Sequence, residues 1–68
     1  MSTFGKNLKA IRKECKLSQK EFAQKMNTTQ QRVSEWECDK VEPTLYNILL
    51  IKKVLGISFD ELIEDIEI

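Results

Sequence analysis

A chain of 68 residues has room for one domain, read here as residues 1–68, and at this size folding buries only about 60 % of the unfolded surface. Eleven basic residues balance eleven acidic ones, histidine is absent and there are two cysteines; that is too few ligands for a structural zinc site, and there is neither a phosphate-cradling glycine loop nor a nucleophile beside a base, so metal, cofactor and enzymatic roles drop out. The start MSTFGKNLKA lacks the apolar run of a signal peptide and no window approaches a membrane span, so a soluble, cytoplasmic protein with no evident small-molecule ligand is expected.

The zero net charge is unevenly spread. Residues 1–34 carry eight lysines and arginines against Glu14 and Glu21, a balance of +6, and residues 35–68 carry three lysines against nine acids, a balance of −6. A phosphate backbone responds to the local field of the face it meets rather than to the molecular total. A solvated basic face with no partner has the same composition, so the split decides nothing alone.

Thr3 can cap a first helix in which Phe4, Leu8, Ile11 and Cys15 share one side and Lys6, Lys9, Lys13 and Lys16 the others. Ser18 with Glu21 forms a capping box that opens a second helix at Gln19, with Phe22, Ala23 and Met26 as its apolar side. Asn27 follows, a residue that tolerates the left-handed conformation ending a helix. Thr29 can cap a third helix from Gln30, buried through Val33 and Trp36. At about 100° per residue, Gln31 and Glu35 then point away from Val33, flanked by Arg32 and Ser34. Two short helices joined by a tight turn, about residues 18–38, with Gln30, Gln31, Arg32, Ser34 and Glu35 outermost, offer the donors and acceptors that read base edges in a major groove. The pattern is that of a DNA-binding helix-turn-helix.

After it, CDKVEP reads as a loop with Asp39 as a left-handed cap. Lys40 projects from this loop, either toward a phosphate or simply into solvent. Pro43 and Thr44 lead into a fourth helix ending at Leu55 with Gly56 as its stop. Leu45, Ile48, Ile51, Lys52 and Leu55 share its expected core face, while Tyr46, Leu50 and Val54 lie opposite. That second stripe marks either a subunit interface or a central helix covered on both sides. Ser58 and Glu61 open a last helix with Phe59, Leu62 and Ile63 apolar. Its acidic end, with Ile66 and Ile68 interspersed, is expected to fray unless a partner holds it. Ile63 and Ile66 join Tyr46, Leu50 and Val54 as candidate dimer-interface residues. Cys15 and Cys38 are expected to be reduced, partly buried thiols.

The segments IRKECKLSQKEFAQKM, TTQQRVSEWE and the run from Pro43 through PTLYNILLIKKVLGISFDEL together resemble the Cro/C1-type (XRE) helix-turn-helix family of phage repressors and small bacterial regulators. The resemblance implies an all-α, five-helix, lambda-repressor-like domain in which helices 2 and 3 form the reading unit. It implies a regulator, a repressor by this likeness, that binds double-stranded DNA as a homodimer on a palindromic operator with half-sites about one helical turn apart. By position, Gln30 and Gln31 would reach base edges, with Ser34 and Glu35 further along the groove. Gln19, Thr29, Lys40 and Arg12 would serve backbone contact or positioning, and Arg12 and Glu37 match an ion pair between helices 1 and 3. Asn27 and Asp39 stand where the family usually has glycine, Lys52 where it has alanine, and Glu35 where similar members have glutamine. The same fold also serves antitoxin-like and coactivator-like protein-interaction modules, which the second apolar stripe would suit.

Overall fold

Every helix starts on a hydroxyl. In the computed structural model, which describes residues 1–67, the chain forms α1 (Phe4–Glu14), α2 (Gln19–Met26), α3 (Gln30–Glu37), α4 (Leu45–Leu55) and α5 (Phe59–Ile63). Thr3, Ser18, Thr29, Thr44 and Ser58 accept from the backbone N–H three residues on, that of Lys6, Glu21, Arg32, Asn47 and Glu61. Each bond satisfies one of the donors a helix start leaves unpaired, worth about 1 kcal/mol apiece. Both predicted capping boxes are present. Among the described residues there is no strand, only a lone parallel bridge between Ser2 and Ile66.

Asn27, Asp39 and Gly56 adopt the left-handed conformation, with φ of 57°, 59° and 67°. Lys16 does so too, at φ 59°, a stop between α1 and α2 that its residue type did not signal. The Glu21 carboxyl in the first box is held below its ordinary range by the Ser18 backbone N–H, then by the Ser18 hydroxyl and Lys25. A lowered folded-state value means stability that is present above the unfolded-chain value and is lost as pH falls through the lowered one. Thermal melts of the parent and of Glu21→Gln are therefore expected to converge in acid, the parent holding an advantage only at neutral pH. Parallel curves at all pH values would remove this role.

The core is built from all five helices: Leu8, Phe22, Ala23, Met26, Val33, Trp36, Ile51 and Leu62 are buried, with Phe4, Ile11, Leu17, Ile48, Leu50, Val54, Leu55 and Ile57 packed around them. Val33 has no exposed surface, so Val33→Asp would bury a carboxylate with no partner, a cost of several kcal/mol. Loss of the helical circular dichroism signal at 25 °C is the expected result. A folded variant would place Val33 on the wrong side of α3.

Helix α4 corrects the predicted phase. Leu45, assigned to the core face, is 71 % exposed, while Leu50 and Val54, assigned to the outer stripe, pack against the core. At 100° per residue the buried arc is centred on Ile51, which carries Leu50 and Val54 inward on one flank and turns Leu45, Leu49 and Tyr46 out. The helix is apolar nearly all round, so its sequence does not mark which arc faces in. Lys52 sits half-buried at the margin. The thiols are also corrected: Cys15 and Cys38 are both free and exposed rather than partly buried.

The C-terminal end is tied down from within the chain. Asn7 donates from its side-chain amide to the carbonyls of Leu62 and Glu64, each at 2.8 Å, and the Ser2 N–H donates to the Asp65 carbonyl at 2.9 Å. These contacts supply the hold that acids at a helix C-terminus require. Ile66 is half-buried beside Ser2; Ile68 lies outside the described residues. No helix among the described residues is long and apolar enough to cross a membrane.

Candidate nucleic-acid interface

Helices α2 and α3 meet through Phe22, Ala23 and Met26 on one side and Val33 and Trp36 on the other, all buried. The left-handed Asn27 makes the turn: its N–H and that of Thr28 close back on Gln24 and Ala23 carbonyls. This packing turns the other side of α3 outward. Gln30, Gln31 and Arg32 are exposed, and Ser34 and Glu35 are half-buried. Five polar side chains thus occupy one outward surface two turns long. Arg32 and Glu35 approach one another at 3.9 Å. Thr29 is exposed at the helix start, its hydroxyl engaged with the Arg32 N–H at 3.1 Å.

The third helix is fastened to the first by a buried ion pair. Arg12 Nε lies 2.6 Å from Glu37 Oε2 and its Nη2 lies 3.1 Å from Oε1, while Nη1 donates to the Leu17 carbonyl at 2.7 Å. Gln19 Nε2 donates to the same Glu37 Oε1 at 3.1 Å. Glu37 therefore joins α1, the start of α2 and the end of α3 in one network. Arg12, expected to serve backbone contact or positioning, is 6 % exposed with all three guanidinium nitrogens engaged, so it positions α3 from inside rather than facing a phosphate. Its charge is neutralised by Glu37, which leaves Lys6, Lys9, Lys13, Lys16, Lys20 and Lys25 as the exposed cations of α1, α2 and the turn between them.

The loop after α3 carries Lys40, exposed, its N–H bonded to the Glu35 carbonyl at 3.0 Å. Asp39 does more than end the helix. Its carboxylate accepts from the Gly5 N–H at 2.9 Å and from the Thr3 hydroxyl at 2.5 Å. An anion at the start of α1 is favoured by the unpaired N–H groups and the dipole there, which accounts for an aspartate where glycine would suit the backbone. The partners lie 34 and 36 residues away, beyond any local sequence signal. Gly5 carries no local signal either: a Cβ there would meet the backbone carbonyl oxygens of Glu37 and Trp36 at 2.5 and 2.6 Å. Of the residues predicted for an interface between subunits, Tyr46 is exposed beside Leu45 and Leu49, Ile63 is marginally exposed, and Leu50 and Val54 are turned inward.

Comparison with known proteins agrees with this arrangement. A profile of the helix-turn-helix family matches residues 8–62. The immunity repressor protein of Bacillus phage phi105 is 34 % identical over 61 residues, 90 % of this chain and 42 % of its own length. An uncharacterised HTH-type transcriptional regulator, YqaE of Bacillus subtilis, is 33 % identical over 61 residues, 90 % of this chain and 53 % of its own. The chain thus spans about half the length of the curated relatives it matches. Among solved structures, the P22 c2 repressor protein in complex with a synthetic operator superposes with a TM-score of 0.86 at 28 % identity, covering 94 % of this chain and 97 % of that one. The solution structure of the DNA-binding domain of the same repressor gives 0.86 and 28 %, covering 94 % and 84 %. An all-α arrangement of five helices, a helix-turn-helix built on Phe22, Val33 and Trp36, and a profile match across most of its length make this chain a member of the Cro/C1-type helix-turn-helix family.

Proposed function

We propose that the chain is a sequence-specific double-stranded DNA-binding regulator, a repressor, that lays α3 in the major groove of a palindromic operator. The observation that carries this is the outward surface of α3, with Gln30 and Gln31 exposed on a helix whose other side is locked by Val33, Trp36 and Glu37. The likeness to a repressor bound to its operator supports it. Gln30 or Gln31 makes the paired contact to adenine N6 and N7, worth about 1–3 kcal/mol of discrimination. Ser34 and Glu35 reach further along the groove and Arg32 pairs with guanine. Thr29, Gln19, Lys40 and the lysines of α1 and α2 set the register on the phosphates. Residues 1–68 act as one DNA-binding domain, in the cytoplasm.

Two copies bind together, through the apolar face of α4 that Tyr46, Leu45 and Leu49 expose. Selection from a random DNA library, followed by titration of the winning sequence at two salt concentrations, tests both parts. An inverted repeat with half-sites about one helical turn apart, bound more weakly as salt rises, is the expected result. A single unrepeated half-site would remove the dimer. If no sequence is enriched, the same exposed α4 face favours a protein-interaction module of antitoxin-like or coactivator-like use. Gln31→Ala is expected to lower the preference for the selected operator over random DNA by on the order of tenfold; an equal loss on both DNAs would show that Gln31 reads no base.

A further inference from the structure

We infer that Arg32 and Glu35 act as one unit that reads two neighbouring G·C base pairs, a guanine through Arg32 and a cytosine through Glu35. The inference rests on the reading of α3 as the groove-bound helix and adds the bases that its charged residues demand. The two side chains are 52 % and 32 % exposed and stand 3.9 Å apart, one turn from each other. A pair so open and so loose contributes little in the free protein, so its members are available for exchange with other partners.

Their chemistry restricts what those partners are. The two side chains approach within 3.9 Å, about one step of the roughly 3.4 Å between successive base pairs, so they reach neighbouring pairs. Arg32 has donors only and is matched by the two acceptors that guanine shows in the groove; Glu35 has acceptors only and is matched by the cytosine amino group. Adenine offers Glu35 a donor with an acceptor beside it, and thymine offers none.

Coupling follows from charge. Glu35 alone would enter a groove walled by phosphates as an unneutralised anion, and Arg32 brings the compensating charge with it. Wherever the DNA satisfies one residue and not the other, the unmatched one is left as a desolvated charge. The pair thus rejects sequences that offer half of the step, a selectivity that the neutral Gln30 and Gln31 do not supply.

The test is selection from the random library with the parent, Glu35→Gln, Arg32→Ala and the double variant, each first checked for a parental circular dichroism spectrum. The parent is expected to enrich half-sites holding adjacent G·C pairs. Glu35→Gln should move the preference at the cytosine position toward adenine by on the order of tenfold, and also raise affinity for random DNA by removing an anion from the groove face. Loss of either residue should weaken preference at both positions, with the double variant little worse than either single. An inverted repeat without adjacent G·C pairs, an unchanged preference in Glu35→Gln, or single effects that add in full would each overturn the inference and leave the operator-binding reading standing. If the parent enriches no sequence while folding normally, both fall together.

Discussion

Glu37→Ala is expected to lower the unfolding free energy by about 3–5 kcal/mol, the usual cost of removing one member of a buried ion pair. At about 0.05–0.15 kcal/mol per residue, a chain of 68 residues has roughly 3–10 kcal/mol in total, so the variant should be partly unfolded at 25 °C. The cost arises because Arg12, 6 % exposed, would keep its charge and lose two bonds, while Gln19 would lose its acceptor at 3.1 Å. Only the Leu17 carbonyl would still receive it. Pairing Arg12→Met with Glu37→Leu removes both charges and should recover most of the loss, since apolar replacement of a whole buried pair is often neutral. Recovery is incomplete because the Leu17 carbonyl then lacks its donor, a penalty of about 1–3 kcal/mol if no water replaces it. Urea unfolding of the three proteins decides the matter. A Glu37→Ala midpoint matching the parent's, or a double variant as weak as Glu37→Ala, would show that the pair does not fasten α3.

That network was half legible in the sequence. The family resemblance makes Arg12 and Glu37 partners, but the sequence leaves Arg12 open to backbone contact as well as positioning, because a basic residue on a lysine-rich helix carries no local mark of burial. The helix boundaries were readable because their signals are short-range. Ser18 and Glu21 or Ser58 and Glu61 need only three residues to declare a start, and the hydroxyls at Thr3, Thr29 and Thr44 cap as their positions suggested. The outward set on α3 was readable for the same reason, since Val33 and Trp36 are the apolar residues that fix its phase in an otherwise polar segment. In α4 the opposite holds. Leu45, Ile48, Leu49, Leu50, Ile51, Val54 and Leu55 surround the axis, so only packing decides that Leu50 turns in and Leu45 turns out. Asn7, which receives no signal from its neighbours, reaches 55 and 57 residues along the chain to hold α5. Interactions of that range appear only once the topology is known.

Gly5→Ala sets two magnitudes against each other. Within a helix the substitution normally gains about 0.5–1 kcal/mol, because alanine loses less backbone freedom on folding. Here the new methyl group would stand 2.5 Å from the Glu37 carbonyl oxygen, 2.6 Å from that of Trp36 and 2.8 Å from the Glu37 carbonyl carbon. These are backbone atoms at the C-terminal end of α3, with no rotamer by which to move aside. Relief requires α1 to slide away from α3, and that motion stretches the Gly5 N–H bond to Asp39, the Thr3 bond to the same carboxylate and the Arg12–Glu37 pair together. Overpacking of this kind costs about 1–3 kcal/mol before those bonds are counted, so the clash outweighs the propensity gain. A domain this small loses about 4–8 °C of melting temperature per kcal/mol, which puts the expected fall at roughly 10 °C. Because the methyl group pushes on the end of α3, the same variant should bind its operator less tightly at temperatures where it is still folded. A melting temperature equal to or above the parent's would mean that α1 and α3 stand further apart than described, and that Gly5 is merely a weak residue in a helix.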